Sequence, residues 1–309
     1  MRIEFVAFES MGVRSQATYI ETPDARIFID PAAALAPRRF SLPPHVREVE
    51  RLRELYREIE RRVEKSDVVI VTHYHYDHHD PARFLSPELY RGKTIILKDY
   101  RNKINVSQRI RAYRFLKILE RVGCRIEVAD GRDFSFGETR IAFSQPVEHG
   151  PDSRLGFVVP VCISDGREAL LYTSDVEGPV NENVVIFAGM CRPRVLVLDG
   201  PSTYLIGYKY PEEAFVRSIE LMKNLLRIDS VEVMVVDHHL LRDLSYSEKL
   251  REVFEVGRRL GKRVLTAAEF MGLKPTLLEA RRRELFAEEP VDGLEMLRSM
   301  RIDLRMLGE

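Results

Sequence analysis

Thr72-His73-Tyr74-His75-Tyr76-Asp77-His78-His79 sets four histidines and an aspartate within seven positions, directly after the apolar run Val68 to Val71. Imidazole nitrogens and carboxylate oxygens are the donors that suit zinc and similar divalent ions. A strand that stops abruptly in a turn aims alternate side chains at one point, so the H-x-H-x-D-H spacing predicts a metal centre. One isolated histidine is usually hydrogen-bonded or solvated; four at this spacing reverse that weighting.

Other apolar runs end in the same residue types. Ile27-Phe28-Ile29 ends at Asp30-Pro31, Val147-Glu148 leads into His149-Gly150, Ala169 to Tyr172 into Thr173-Ser174-Asp175, and Val231 to Val236 into Asp237-His238-His239. Taken with Thr72 to His79, and with the hairpin-like opening Ala17 to Thr22 before Ile27 to Asp30, these stretches resemble the metallo-β-lactamase superfamily of metal-dependent hydrolases over residues 1 to about 270. The combination of Ser10 to Ser15, Thr72 to His79 and Asp237 to Asp243 is similar to an archaeal branch of predicted hydrolases.

The resemblance implies an α/β fold, the metallo-β-lactamase-like αββα sandwich of two packed mixed sheets with helices outside. It also implies two zinc ions, with iron or manganese as alternatives. His73, His75 and His149 would hold one metal, Asp77, His78 and His238 the other, and Asp175 would bridge them. Two cations roughly 3.5 to 4 Å apart would share a hydroxide formed near neutral pH and clamp the oxygens of the attacked group. Asp77 and Asp30 are the carboxylates assigned to catalysis, Asp30 by orienting a ligand imidazole, because metal-bound histidines usually donate their other N–H to a carboxylate or carbonyl.

Some assignments stay open on the residues alone. His238 is preferred to His239 because Val-Val-Asp-His there parallels Ile-Val-Thr-His at 70 to 73. If the strand continues, the two side chains point to different sides. His149 has no neighbouring ligand and takes its weight from its place between the signature and Asp175. Asp199, at the end of another buried run, either lines the pocket or caps the Gly-Pro turn that follows. His45 and His79 read as solvated or supporting histidines.

The elements that must position these residues are legible as alternating runs. A Pro pair opens the segment Pro43 to Lys65, where Val46, Val49, Leu52, Leu55, Ile59 and Val63 recur at helical spacing among Arg and Glu, an exposed amphipathic helix. Residues 105 to 122, about 211 to 226 and 246 to 260 are helical by pattern; strands are expected at 68 to 71, 94 to 97, 125 to 129, 140 to 143, 156 to 164, 169 to 172, 195 to 198 and 231 to 236. Interleaving of this kind gives a mixed α/β class. Residues 1–272 form the catalytic domain in this reading, and 273–309 a charged helical extension packed on it.

The 48 basic and 48 acidic residues cancel, so global charge favours neither nucleic acid nor acidic surfaces. No apolar run reaches the length of a membrane span and no signal-peptide core opens the chain, so a soluble, cytoplasmic protein is expected; the oligomeric state is left open. Cys124, Cys162 and Cys191 are odd in number and form no C-x-x-C pair, so neither a disulfide nor a thiolate metal site is expected. Charged residues make up 31%, a composition compatible with the ion-pair networks of a thermophile. No G-x-G-x-x-G, P-loop or G-x-S-x-G appears, which argues against a nucleotide cofactor or a serine nucleophile.

The expected function is therefore metal-dependent hydrolysis, most simply of a small-molecule or nucleic-acid phosphodiester. The alternative is a lactone or thioester, and a non-catalytic binding protein of the same fold ranks below both. Nucleic acid enters through Lys98 to Arg125, where nine Lys or Arg face two acidic residues. Arg111, Arg114, Lys117, Arg121 and Arg125 fall on one helical stripe, which is either a solvated face or a surface for phosphates.

Overall fold

The computed structural model describes residues 1–302. Its first sheet runs β1 (Arg2–Phe8), β2 (Gln16–Glu21), β3 (Arg26–Ile29), β4 (Val68–Val71), β5 (Thr94–Leu97) and β6 (Arg125–Val128), in that spatial order. β1 to β3 are an antiparallel meander, and β3 to β6 lie parallel. The chain then forms β7 (Asp133–Phe136), β8 (Thr139–Phe143), a short ribbon of β9 (Val147–Glu148) and β10 (Phe157–Val158), β11 (Val161–Ser164), β12 (Ala169–Tyr172), β13 (Val195–Asp199), β14 (Val233–Asp237) and β15 (Arg263–Leu265). The second sheet has the order β15-β14-β13-β12-β11-β8-β7, with β12 to β15 parallel.

Alternation along the strands decides what each face packs on. Val195 and Val197 of β13 join Val68 to Val71 and Ile95 to Leu97 in the core between the sheets, whereas Leu196 and Leu198 face a second cluster on the outer side. The outer cluster includes Val184 and Ala188 of α3 (Asn183–Cys191), Met222 and Leu225 of α4 (Glu212–Leu226), and Val253 of a helix over Arg251–Arg259. On the first sheet, α1 (Val46–Lys65) buries Val49, Leu52, Ile59 and Val63, and α2 (Val106–Val122) buries Ala112, Phe115, Leu116 and Leu119. Two face-to-face sheets with helices outside are the expected αββα sandwich.

Three details depart from the sequence reading. His45 is not solvated: it is wholly buried as the N-cap of α1, with its Nδ1 accepting from Arg47 N, Glu48 closing a capping box, and its Nε2 2.7 Å from Glu289 O. Residues 275 to 302 are not one helix but two short ones, Arg282–Glu288 and Leu294–Ser299, and residues 303 to 309 of the expected extension lie outside the described residues. Arg282 in this stretch is fully buried, with a two-point pair to Glu48 and bonds to the Ala36 and Leu42 carbonyls.

The third departure is a disulfide between Cys162 and Cys191, whose Cα atoms lie 5.9 Å apart. Packing of α3 on the outer face of the second sheet brings its C-terminus beside β11, which a sequence separation of 29 residues conceals. Among the described residues, no helix is long and apolar enough to cross a membrane.

Candidate metal centre

The carboxyl ends of the parallel strands meet along one edge of the sandwich, the position where open α/β sheets place their ligands. β3 ends at Asp30, β4 at the Thr72 to His79 loop, β12 at Thr173 to Asp175, β13 at Asp199 and β14 at Asp237 to His239. Four residues here hold left-handed backbone without being glycine: Asp30 (φ 50°), Ser174 (φ 58°), Glu177 (φ 46°) and His238 (φ 60°). Such conformations cost on the order of 1 kcal/mol or more each and persist where surrounding contacts over-determine them. They turn the chain sharply at the strand ends.

Two four-membered groups of buried donors result, besides the smaller sets Asp30, His73, His78 and Asp175, Asp199, His239. His73, His75, His149 and Asp175 form one, and Asp77, His78, Asp175 and His238 the other, each with ligand atoms within 4.8 Å of one another. Asp175 Oδ2 lies 3.5 Å from His73 Nε2, 3.3 Å from His149 Nε2 and 3.4 Å from His238 Nε2, while its Oδ1 lies 3.0 Å from His78 Nε2. Asp77 Oδ2 is 3.5 Å from His238 Nε2. Two ligands on a tetrahedral ion with bonds of about 2.0 to 2.1 Å stand roughly 3.3 Å apart, so these separations suit a shared cation.

Hydrogen bonding gives an independent test of that fit. His73 Nε2, Asp77 Oδ2, His78 Nε2, His149 Nε2 and Asp175 Oδ2 are all buried without a hydrogen-bond partner. Leaving one such group unsatisfied costs about 1 to 3 kcal/mol, and more for a charged one, so five at one point fit the ligands of cations. The residues present therefore fit a metal pair.

Their outer atoms are braced. Asp30 Oδ2 lies 2.8 Å from His78 Nδ1 and accepts from Thr72 Oγ1 (2.5 Å) and Tyr172 OH (2.8 Å). Gln16 Nε2 donates to Asp175 Oδ1 (2.6 Å), Gln108 Nε2 lies 3.4 Å from His75 Nε2, and Glu177 Oε1 is 3.4 Å from His149 Nδ1. His79 is buried, its Nδ1 2.9 Å from the His75 carbonyl, so it supports the loop from inside. Asp199 does not cap its own turn. It accepts from the backbone N–H of Glu177 (2.8 Å) and of His239 (3.0 Å), and its Oδ2 lies 3.0 Å from His239 Nδ1.

The adjacent histidines separate, though not by strand alternation. β14 ends at Asp237, and His238 begins a 3-10 turn over His238–Arg242 with left-handed backbone. His238 turns to Asp77 and Asp175, and His239 to Asp199.

Electrostatics follow from burial and mutual proximity. Burial depresses His73 to about 4 and holds His75 and His239 well below the usual imidazole range, which keeps their lone pairs available. Burial also disfavours charge on His78 and Asp175, but attraction between them outweighs it, raising His78 and lowering Asp175.

A cavity of about 450 Å³ reaches the donors at His149 and is also lined by Glu177 and His239. Its lining carries six cationic side chains, Arg14, Arg38, Arg39, Arg154, Lys209 and Arg242, against two carboxylates, Asp152 and Glu177. A larger cavity of about 740 Å³ lies under α3 beside Cys162 and Cys191 and is lined by no histidine; size alone does not locate the chemistry.

The expected basic stripe is shorter than the sequence suggests. Gly123 ends α2 in left-handed conformation, which leaves Arg125 on β6, paired with Glu127. Lys98 is fully buried on Asp130, and Arg111 stacks over Tyr76, its guanidinium 4.5 Å from the ring. Arg114, Lys117 and Arg121 are exposed.

Gln16, Gln108, Glu177 and the cavity arginines were not singled out from sequence as site residues. Glu177 lies two residues beyond Asp175, and Arg14 and Arg242 lie within the stretches Ser10 to Ser15 and Asp237 to Asp243 that carried the resemblance.

The fold and the clustered donors define a metallo-β-lactamase fold protein with a His/Asp metal-binding type of site. Among solved structures, the chain is similar to the metallo-β-lactamase fold protein YhfI from Bacillus subtilis (TM-score 0.54, 14% identity, 85% of this chain and 94% of that one). It is also similar to Zn(2+)-bound PqqB from Methylobacterium extorquens (TM-score 0.51, 11% identity, 86% and 98%) and to CmlA, a diiron β-hydroxylase from Streptomyces venezuelae (TM-score 0.50, 14% identity, 85% and 52%). The chain belongs to the UPF0282 family: it is 47% identical over 290 residues to a UPF0282 protein of Saccharolobus islandicus (94% of each chain) and 47% identical over 296 residues to that of Korarchaeum cryptofilum (96% and 98%). No family model matches the chain.

Proposed function

We propose that this protein is a binuclear, zinc-dependent hydrolase of phosphodiesters. The observation that carries the reading is a pair of buried donor groups sharing Asp175, with His149 of one group also lining a cavity that carries six cationic side chains. His73, His75 and His149 would hold one ion, Asp77, His78 and His238 the other, with Asp175 common to both. Bound there, divalent cations lower the pKa of water and withdraw charge from the group under attack.

The chain's own residues do the rest. Asp30 fixes the ring of His78 through its Nδ1, and the Glu177 carboxylate stands 3.4 Å from His149 Nδ1. Arg242, buried on Glu9 at 3.1 Å, lies with its Nη2 3.3 Å from His238 Nε2 and 4.0 Å from Asp77 Oδ2, where it meets negative charge on the substrate. A cationic lining suits a phosphoryl group, whose oxygens stay charged throughout, better than a neutral lactone or thioester. PqqB is described as zinc-bound and CmlA as a diiron protein, which supports zinc first and iron as the alternative.

The test is a substrate panel of bis(p-nitrophenyl) phosphate, single-stranded and structured RNA and DNA, lactones and thioesters, run on protein stripped of metal and reloaded with zinc, manganese or iron. Diester turnover restored by metal is expected. Lactone or thioester turnover without diester turnover contradicts the phosphodiester reading. Nucleic acid as substrate rests on exposed Arg114, Lys117 and Arg121 of α2; charge reversal there should weaken binding at low salt, and unchanged affinity would leave a small diester as substrate.

A further inference from the structure

The positive charge of the cavity lining exceeds what one reacting group needs, and three of its six cations, Arg14, Arg38 and Arg39, come from the stretch before α1. Arg14 is held by two bonds to Glu279, Nε to Oε2 at 2.7 Å and Nη2 to Oε1 at 2.8 Å. The Arg39 guanidinium lies between two rings, 4.7 Å from Phe40 and 4.3 Å from Tyr204, and its Nη2 donates to the Arg242 carbonyl at 2.9 Å. Its Nε is buried without a hydrogen-bond partner, the nearest carboxylate being Glu279 Oε1 at 3.9 Å. Arg38, beside it at the cavity wall, is exposed.

We propose that Arg14, Arg38 and Arg39 form a subsite for a second phosphate group of the substrate, next to the group held over the histidines. The inference rests on the phosphodiester reading and narrows it to a small diester bearing a further phosphate. Arg14 and Arg39 are held in place by Glu279, the flanking rings and the Arg242 carbonyl, which presents them together with the exposed Arg38 on the cavity lining. A planar carboxylate is satisfied by a single two-pronged guanidinium, whereas a tetrahedral phosphate accepts donors from several directions, as three arginines on the cavity lining supply. The cavity volume of about 450 Å³ falls in the range of small-ligand sites. Glu279, from the segment after residue 272, positions this wall rather than touching the ligand.

Two measurements test the proposal. In the first, hydrolysis of thymidylyl-thymidine with and without a 5′-phosphate is compared in the zinc-loaded wild type, Arg38→Gln, Arg39→Gln and the double variant. Wild type should prefer the phosphorylated dinucleotide by about tenfold or more in kcat/KM, mainly through KM, as one charge-assisted contact provides; in the double variant the ratio should fall towards one. In the second, calorimetry measures inorganic phosphate binding to metal-free protein, with malonate as the carboxylate control. Binding weakened about tenfold in the double variant, and malonate binding weaker than phosphate, are expected. Arg38→Gln, at an exposed position, carries both measurements if Arg39→Gln does not fold.

Equal use of the two dinucleotides, with phosphate binding indifferent to the substitutions, overturns the subsite and leaves the hydrolase reading standing. Malonate binding as tightly as phosphate overturns the assignment to phosphate. Arginine-dependent phosphate binding in a protein that cleaves neither dinucleotide supports the subsite while the hydrolase reading fails.

Discussion

Asp30 and His78 stand 48 residues apart in sequence and 2.8 Å apart in space, with Asp30 Oδ2 against His78 Nδ1. The contact exists because β3 and β4 are parallel neighbours whose carboxyl ends lie side by side. It fixes the imidazole so that Nε2 faces Asp175 at 3.0 Å. Asp30→Ala should weaken metal affinity or rate by about 10 to 100-fold, as loss of a brace behind a ligand does. Titration with a chromogenic chelator reads this directly; complete loss of metal would instead make Asp30 a ligand.

His238 and His239 should behave differently when removed separately. His238 faces Asp77 and Asp175, whereas His239 is tied to Asp199. His238→Ala is expected to lower the bound metal by about one equivalent, and His239→Ala to retain both ions while altering turnover. Metal analysis showing the reverse would move the ligand by one residue.

Lys98 is wholly buried and donates to Asp130 Oδ2 at 2.6 Å and to the Asp99 and Asn102 carbonyls. Burial lowers Lys98 and raises Asp130 against their mutual attraction, so the pair is held in place rather than strongly stabilising. Asp130→Asn leaves the ammonium without its counter-charge, and chemical denaturation should show a loss of about 2 kcal/mol, below the usual figure for a buried pair because Asp130 is partly exposed.

The Cys162–Cys191 bridge closes a 29-residue separation that includes β12 and Asp175. Cys191→Ser should lower stability by about 2 to 4 kcal/mol relative to the oxidised wild type. Thermal melts with and without reductant check this: the wild type should shift down on reduction and the variant should not.

What the sequence made legible was local. His73, His75, Asp77 and His78 share one loop, so their spacing alone announced a common point, whereas Asp30, Asp175 and His238, each after an apolar run, took their roles from the family resemblance. The parallel register that brings these ends together also brings in residues without such a signal. Gln16 reaches Asp175 across 159 positions and Glu279 reaches Arg14 across 265. Periodicity reported where the helices lie but not which charges they expose: Lys98 opened the basic segment and Arg125 closed its stripe, yet Lys98 is buried on Asp130 and Arg125 belongs to β6. The disulfide was hidden for the same reason, since only the packing of α3 on the second sheet places Cys191 beside Cys162.

Metal content of protein purified without added metal, measured by inductively coupled plasma mass spectrometry beside His73→Ala and Asp175→Ala, tests the central claim most directly. About two divalent ions per chain are expected in the wild type, with both variants depleted because each loses a donor that no neighbour replaces. Equal metal content in all three proteins, or no tightly bound divalent ion in the wild type, would contradict it.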